Sequence, residues 1–583
     1  MIKSIPKPNF LSAVLIATMF LSGCSNEQNK SQVETKPQAL VFTAKSILTM
    51  NDTQPSATAV AIDGDKIVSV GTIRSIQAAL PEYQLTIDNR FIEKVITPGL
   101  IDNHLHPTLA GILLPAKFIT PFDWSLPSQQ VQGVQGRQAY LERLVALEAS
   151  LEDPTEMLIT WGYHQYFHGQ VRRADLDRIS STRPIIVWQR SFHEIIVNTP
   201  GLSALGIDEE KFPEHPAINL AEGHFWETGL FDIFPRLAPI ILEPERLKSG
   251  MYDALLHAQM NGITTLADQG APLMNLDMET GLLSQVLEQH SLPLRMLIVG
   301  HGKTLAADGY SKAVGTLDAL PLRDNQQIQF LPKQVKLLAD GAFYSQLMQM
   351  EDPYLDGHHG EWIMPPEDLE VAARTYWDAD FALHIHVNGD KGLNVVLGII
   401  EKLQAENPRP EHRTVLHHYG YSAPEHAKRI ADMGISVSAN PFYLWALGDK
   451  YAELGLGPER AHNITRLGDL ERNGVSVSFH SDLPMAPAAP LVLAGIAASR
   501  VSCQGNVLGP NQKMSVAAAL RGITIEAARA IQQEQKIGSI EVGKQADFTI
   551  LQQDPLVIAP ENFKHIEIWG TVLGGQIHPR PAL

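Results

Sequence analysis

Two histidines separated by one residue, His104 and His106, follow the apolar run of residues 95–101. Alternate residues of a strand point to the same face, so this pair can present two imidazoles to one metal ion. Imidazole nitrogen is a common ligand of zinc. Two histidines at this spacing often have no metal role, so the pair alone is a weak signal. The pair supplies two ligands of a possible metal site, and other residues have to supply the rest.

Later apolar segments also end in residues that can bind metal or move protons. His386 ends the segment 382–386, His417 ends the segment 414–417, and Asp482 follows the segment 475–479. In a barrel, the carboxyl ends of the strands converge on one mouth, where active sites lie. The sequence therefore predicts one active site that gathers these side chains with the two histidines above.

Two positions in this series need separate comment. Lys336 lies inside the apolar segment 334–338, and a buried lysine is costly unless it is neutralised or modified. His417 is followed directly by His418, so the sequence leaves open which of them is the ligand. The place of His417 at the end of the segment and its spacing to Ser422 favour His417.

The segments that must position these residues alternate with helical patterns. Apolar stretches of strand length recur at residues 295–299, 334–338, 382–386, 414–417, 435–438 and 475–479. Repeated strand–helix units are typical of a parallel α/β architecture. Residues from about 110 to 250 fit the repeat poorly and are interpreted as an insertion between early barrel strands. Strand-rich segments at 40–70 and 538–573 predict a small β domain made from both chain ends.

The first residues have the pattern of an export signal. Lys3 and Lys7 precede the apolar run 10–21, which is too short to span a bilayer. The run ends at Leu21-Ser-Gly-Cys24, which resembles a bacterial lipobox with Cys24 as the lipidated residue. The alternative is an ordinary signal peptide in which Cys24 has no such role. With lipidation, residues 1–23 are the signal peptide and 24–39 a polar tether.

Composition limits the possible partners and compartments. The 583-residue chain has 64 acidic and 46 basic residues and a formal net charge of −18, which disfavours nucleic-acid binding. Its only cysteines are Cys24 and Cys503, too few for a disulfide framework or a four-cysteine zinc site. Ser25 after the lipobox, by analogy with Gram-negative lipoprotein sorting, indicates an outer-membrane anchor facing the periplasm.

The chain resembles the amidohydrolase superfamily, in particular the amidohydrolase family 3 branch that includes N-acyl-D-amino-acid deacylases and N-substituted formamide deformylases. The segments that carry the resemblance are Pro98-Gly-Leu-Ile-Asp-Asn-His-Leu-His106, Val335-Lys-Leu-Leu-Ala-Asp-Gly341, Ile385-His-Val-Asn-Gly-Asp390, His480-Ser-Asp-Leu-Pro484, Thr524-Ile-Glu-Ala-Ala528 and Gly538-Ser-Ile-Glu-Val-Gly-Lys-Gln-Ala-Asp547. It implies a distorted (β/α)8 TIM-like barrel over residues 98–534, and a β-sandwich formed by residues 40–97 with 535–583.

The resemblance also implies roles for the site residues. His104 and His106 would hold the more buried of two zinc ions, and His386 and His417 the second. Lys336 would be carboxylated on its amine and bridge the metals. Asp482 would bind the first metal and act as general base and then general acid. Leu416 departs from the family, which often has an acidic residue at this position.

On the substrate side, the resemblance gives His193 a place facing the substrate, where it would stabilise the developing oxyanion. The aromatic segments 161–168 and 224–227 suit either a pocket wall or the core. The leading hypothesis is a hydrolase of a non-peptide, amide-like C–N bond in a small molecule. The alternatives are an esterase or lactonase using the same site, and a non-catalytic lipid-anchored binding protein. The sequence leaves the substrate and the oligomeric state open.

Overall fold

The computed structural model describes residues 36–582. The expected signal peptide, the lipidation site Cys24 and nearly all of the polar tether lie outside this range. Within residues 36–582, no helix combines the length and the hydropathy that a membrane span requires.

The described chain begins with a β-structure that leads into the barrel. Residues Asp63 and Lys66 pair across the turn of an antiparallel hairpin, where Gly64 has a φ of 58° that suits a glycine. The elements of this part are β1 (Gln38–Leu48), β2 (Ser56–Asp63), β3 (Lys66–Gly71), α1 (Ile73–Ala79) and β4 (Gln84–Pro98).

The next part contains the first barrel strand and a second, separate sheet. The elements are β5 (Leu100–Leu105), α2 (Pro107–Leu113), β6 (Lys117–Phe118), β7 (Trp124–Ser125), β8 (Gln130–Val131), α3 (Arg137–Ala149), β9 (Leu158–Tyr163), α4 (Gln165–His168), α5 (Arg173–Ile179), β10 (Ile185–Gln189), β11 (Glu194–Val197), α6 (Thr199–Ala204), β12 (Ile218–Asn219), β13 (His224–Trp226), α7 (Thr228–Ile241) and α8 (Pro244–Met260). The six-stranded sheet has the strand order β12-β13-β11-β10-β9-β6, and β7 and β8 form a small hairpin.

The remaining barrel strands alternate with helices. They are β14 (Ile263–Ala271), α9 (Leu276–His290), β15 (Arg295–His301), α10 (Tyr310–Ala319), β16 (Ile328–Leu338), α11 (Pro366–Asp378), β17 (Ala382–Val387), α12 (Asp390–Glu406), β18 (Val415–His418), α13 (Pro424–Asp432), β19 (Ser436–Ala439), α14 (Phe442–Lys450), α15 (Pro458–Ala461), α16 (Leu467–Arg472), β20 (Val477–Phe479), α17 (Pro490–Ser499), α18 (Val516–Gly522) and α19 (Ile525–Ala530). Short 3₁₀ segments lie at Thr304–Ala306, Leu320–Arg323, Pro510–Gln512 and Pro560–His565, and a π-helical turn at Tyr451–Gly455.

Eight parallel strands form a nearly closed barrel in chain order, from β5 through β14 to β20. The gap between β20 and β5 is bridged by backbone hydrogen bonds. The N–H of Asp482 donates to the carbonyl of His104 at 2.9 Å, and the N–H of His106 donates to that of Leu483 at 3.1 Å. Helices cover the outer face, so a strand such as β14 is buried at every residue. The predicted mixed α/β fold with a parallel TIM-like barrel is therefore confirmed.

The two chain ends come together in one seven-stranded sheet. The last strands are β21 (Phe548–Leu551), β22 (Ile568–Leu573) and β23 (Gln576–Pro579), and the strand order is β23-β22-β21-β4-β1-β2-β3. The long strand β4 pairs with β1 on one edge and with β21 on the other, which joins both ends in a single hydrogen-bonded sheet. The predicted two-sheet sandwich is not confirmed, although Phe42, Phe91 and Phe548 pack into a shared core.

Candidate metal centre and active site

The carboxyl ends of the barrel strands open into one cavity. His104 lies on β5, His106 directly follows that strand, Lys336 lies on β16 and His386 on β17. Two further residues reach the cavity from β18 and from the loop after β20, namely His418 and Asp482. All of these side chains line the same wall. The barrel therefore brings together residues that are up to 378 positions apart because parallel strands end at one edge.

Three of these side chains converge at the end of β5. His104 Nε2 lies 3.2 Å from His106 Nε2, and Asp482 Oδ1 lies 3.3 Å from His106 Nε2 and 3.6 Å from His104 Nε2. Their ligand atoms all lie within 4.8 Å of one another. Two imidazole nitrogens and a carboxylate oxygen are donors that suit zinc and other divalent first-row metals. The residues present fit a metal ion at this point.

The environment of His106 favours a positive charge. Burial lowers the pKa of His106, but hydrogen bonds and charge from Asp268 and Asp482 outweigh burial and raise it to about 9. Asp268 lies on β14, with Oδ1 3.4 Å from His106 Nδ1. A carboxylate on the far nitrogen of a ligating histidine fixes the ring and makes it more basic. The same two carboxylates would also stabilise a metal ion bound at His106 Nε2.

Lys336 is a charged side chain of the site whose amine is buried without a partner among the described residues. It is 1% exposed, and its Nζ has no hydrogen-bond partner among residues 36–582. Burial lowers its pKa to about 7, against the opposing charges of Asp482 and Asp268. A buried amine with its pKa lowered toward 7 is partly uncharged and therefore prone to chemical modification. Burying it without a hydrogen-bond partner costs free energy. This environment fits the modified lysine that the sequence analysis expects.

The two consecutive histidines of β18 take different places. His418 lines the cavity, and its ring centroid lies 4.3 Å from that of His386. His417 does not line the cavity. Its Nδ1 lies 2.9 Å from His104 Nδ1, and its Nε2 lies 2.9 Å from His384 Nδ1. Both ring nitrogens of His417 thus face other histidines, and the preference of the sequence for His417 as the ligand stays a prediction.

The backbone explains how both histidines can point into the barrel. His418 has a φ of 79° and Tyr419 a φ of 53°, so the regular alternation of the strand ends at this point. His418 Nδ1 lies 3.1 Å from the Tyr443 hydroxyl and 3.3 Å from His480 Nε2. His480 also stacks on His104 with a centroid distance of 4.4 Å.

His193 lines the cavity from the six-stranded sheet. It lies in the turn between β10 and β11, and its Nδ1 is 2.7 Å from Glu227 Oε2. In the sequence, Glu227 lies in the aromatic segment 224–227, and no local pattern predicts that it pairs with His193. The aromatic segments divide their roles. Trp161 is fully buried in the core, whereas Phe231, just after the second segment, lines the cavity.

Other cavity residues were also missed. His301 ends β15 and lines the cavity. His386 was predicted because it ends an apolar segment, and the same reasoning would have predicted His301 if the segment 295–299 had been extended by two residues. Asp102 is fully buried and accepts a hydrogen bond from the Ser481 hydroxyl at 2.5 Å. Burial raises the pKa of Asp102 to about 7 despite this bond. The contact fastens β5 to the loop that carries Asp482.

Comparison with known proteins agrees with this geometry. The sequence profile of the amidohydrolase family matches residues 93–578. The chain belongs to the amidohydrolase family. This enzyme is accordingly a metal-dependent hydrolase that acts on carbon–nitrogen bonds.

Individual relatives are distant but cover most of the amidohydrolase. It is 24% identical to the protein LONG AFTER FAR-RED 3 of Arabidopsis thaliana, over 88% of this chain and 87% of that protein. It is 22% identical to the N-substituted formamide deformylase of Arthrobacter pascens, over 93% and 98% of the two chains. A crystal structure of an uncharacterized metal-dependent hydrolase from Pyrococcus horikoshii superposes with a TM-score of 0.69 at 19% identity, covering 90% of this chain and 99% of that one.

Proposed function

We propose that this amidohydrolase cleaves a non-peptide, amide-like bond of a small molecule, using water activated at a site for two divalent metal ions. The observation that carries the proposal is the convergence of His104, His106 and Asp482 beside the buried amine of Lys336, which has no hydrogen-bond partner in the described part of the chain. His104, His106 and Asp482 would hold one metal. Carboxylated Lys336 would bridge to a second, held by His386 and His418.

The donor set favours zinc, which binds histidine nitrogen and carboxylate oxygen. When bound, such a metal lowers the pKa of a water molecule toward neutrality and polarises the scissile carbonyl. The position of His417 behind His104 supports this arrangement. A ligating histidine commonly uses its second ring nitrogen for a hydrogen bond that fixes its orientation. We therefore assign the second-metal role to His418 and the supporting role to His417.

The remaining residues provide proton transfer and substrate contact. The Asp482 carboxylate takes a proton from the attacking water and later delivers it to the leaving nitrogen, so the proton balance closes within one turnover. His193 reaches the cavity from the six-stranded sheet and contacts the substrate carbonyl. The apolar residues Leu109, Phe231, Leu273 and Ile363 line the same cavity and would hold an apolar part of the substrate.

Metal analysis combined with an amide panel tests the proposal. The panel starts with N-substituted formamides, because of the relative named for that activity, and includes matched esters and lactones. We expect purified wild type to carry about two divalent metals per chain and to hydrolyse at least one amide faster than its matched ester. Metal well below one equivalent, or hydrolysis of esters alone, would refute the amidase proposal.

The same measurements separate the two histidines of β18. His418→Asn should lower the metal content toward one equivalent and the activity by at least about 100-fold, because it removes a ligand. His417→Asn is the matched control at the neighbouring position. It should weaken metal affinity by about 10–100-fold while two metals still bind at saturation. The reverse pattern would restore His417 as the ligand.

We also propose that the protein is exported and lipid-anchored through Cys24 at the outer membrane, facing the periplasm. The support is the lipobox-like Leu21-Ser-Gly-Cys24 and the polar residues 25–38 that follow it. We expect Cys24→Ser to move the protein from the membrane fraction to the soluble fraction after cell disruption. Cys503→Ser is the control. Membrane retention of the Cys24 variant would argue against lipidation.

A further inference from the structure

His193 and Glu227 form a two-point contact in the cavity wall. Glu227 Oε2 lies 2.7 Å from His193 Nδ1, and the backbone N–H of Glu227 donates to the His193 carbonyl at 2.9 Å. The carboxylate is 8% exposed and the imidazole 18%. The backbone bond fixes where the two residues lie, and the side-chain bond fixes the ring. The two hydrogen bonds therefore hold His193 and Glu227 in one fixed arrangement.

The backbone on both sides of this contact is held in an unusual conformation. Phe192 has a φ of 73° and Glu227 a φ of 41°, in a region that residues other than glycine rarely occupy. The Trp188 indole N–H donates to the Phe192 carbonyl at 2.8 Å and holds the turn in place. Such conformations persist where the surrounding structure enforces them, and they cluster at functional sites. The enforced backbone conformation holds His193 in the lining of the cavity.

The Glu227 contact decides what His193 can offer a substrate. A neutral imidazole that donates Nδ1–H to Glu227 has only a lone pair at Nε2, which can accept but not donate. A protonated imidazole keeps its bond to Glu227 and presents an N–H at Nε2 as well. Only the protonated ring can donate a hydrogen bond to a carbonyl oxygen.

The charges around the ring favour the protonated form. Burial lowers the pKa of His193, but Glu227 outweighs burial and raises it above its ordinary value, with smaller contributions from Asp482 and Glu194. His386 also interacts with His193 through charge, but burial lowers the pKa of His386 well below its ordinary value, so a neutral His386 puts no positive charge beside His193. Glu361 also interacts with Glu227 through charge. A nearby carboxylate is the common means of stabilising a histidine cation.

We propose that Glu227 is a positioning residue that keeps His193 doubly protonated, so that its Nε2–H donates a hydrogen bond to the substrate carbonyl oxygen as negative charge develops there. This inference rests on the proposed amide hydrolysis. The proton stays on His193 throughout the reaction, and proton transfer belongs to Asp482 alone. The cavity therefore has two groups with different roles, His193, which donates a fixed hydrogen bond, and Asp482, which moves a proton.

The pH profile of Glu227→Gln tests the inference on the metal-loaded enzyme. Glutamine has nearly the same shape and can still accept the Nδ1–H, but it carries no charge. We expect the alkaline limb of kcat/KM to move toward acid by about one to three pH units. Above that limb, activity should fall by about 10²–10³-fold, the effect of losing one donor to a developing oxyanion. At the acidic end, activity should stay close to that of wild type.

Two control variants separate this role from a purely structural one. Glu194→Gln removes a similar pair in the same sheet, in which Glu194 Oε2 lies 2.9 Å from His224 Nε2, and neither of these residues lines the cavity. Glu194→Gln should shift the alkaline limb of kcat/KM far less than Glu227→Gln does. His193→Gln supplies a donor that does not titrate, so adding Glu227→Gln to it should cause no further shift. Equal shifts from the two glutamate variants, or full additivity in the double variant, would overturn the proposal.

Nitrogen NMR of histidine-labelled protein gives a readout that does not depend on activity. The His193 signals are assigned by their absence in His193→Gln. We expect both ring nitrogens of wild type to stay protonated above the ordinary pKa of histidine, and those of Glu227→Gln to lose a proton at lower pH. If wild type hydrolyses no amide, the proposed function fails, while this titration still decides whether Glu227 holds the proton on His193. An unchanged His193 titration in folded Glu227→Gln would overturn the inference.

Discussion

Replacing Asp482 by asparagine should reduce kcat/KM for amide hydrolysis by about 10²–10⁴-fold, the range expected for loss of general acid–base catalysis. Asp482 Oδ1 lies 3.3 Å from His106 Nε2 and 3.6 Å from His104 Nε2, so it is placed both to bind metal and to reach the activated water. An asparagine amide keeps the size of the side chain and can still offer one oxygen, but it cannot accept and return a proton. Steady-state kinetics and metal content of the same preparation measure the two effects separately.

Asp253→Asn is the matched control for this change. Asp253 is a buried aspartate on α8 that accepts hydrogen bonds from the Ser128 hydroxyl and backbone N–H, at 2.7 and 2.9 Å, outside the cavity. Its substitution should leave kcat/KM within about threefold of wild type because it touches neither metal ligands nor substrate. Activity of metal-loaded Asp482→Asn within about tenfold of wild type would remove Asp482 from the proton-transfer role.

Replacing Lys336 by methionine should have opposite effects on function and on metal-free stability. Metal content and activity should collapse, since the group proposed to bridge the metals would be lost. In the presence of a chelator, however, the variant should be more stable than wild type by about 1–3 kcal/mol, because it removes a buried amine without a partner. Methionine is flexible, apolar and of similar length, so it can fill the space. Denaturant unfolding with and without metal measures both effects.

The order of stability should reverse when metal is added. Metal binds only the folded protein and therefore stabilises wild type, whereas Lys336→Met should gain little. Lys312→Met is the control, because Lys312 is 74% exposed and its substitution should change stability by less than about 0.5 kcal/mol in either condition. A variant that is less stable than wild type without metal, or one that keeps full metal and activity, would show that Lys336 is an ordinary structural lysine.

The sequence predicts the barrel strands well because their signals are local. Short apolar runs separated by helical patterns correspond to β15 through β20, and buried parallel strands are continuously apolar for a physical reason. The terminal domain is a different case. Both ends show strand patterns, but whether strands hydrogen-bond into one sheet or pack as two depends on pairing partners that a strand pattern does not encode. Here β4 pairs on both edges and makes one sheet.

For the active site, the sequence by itself determined which residue types stand at the strand ends, and from them it predicts metal-hydrolase chemistry for His104, His106, Lys336, His386 and Asp482. Between the two histidines of β18 it favours His417, whereas the structure places His418 at the cavity. That choice depends on the left-handed backbone of His418 and Tyr419, which follows from packing around the barrel mouth and not from strand alternation.

Contacts between distant segments were decided only by the tertiary structure. Glu227 lies 34 positions from His193, and Ser481 lies 379 positions from Asp102, yet each pair forms a short hydrogen bond. Periodicity and spacing describe neighbours along the chain, whereas these pairs form because the barrel closes β20 against β5 and the six-stranded sheet carries His193 and Glu227 to the cavity. The sequence thus determined the kinds of chemical groups available, and the fold decided which of them meet.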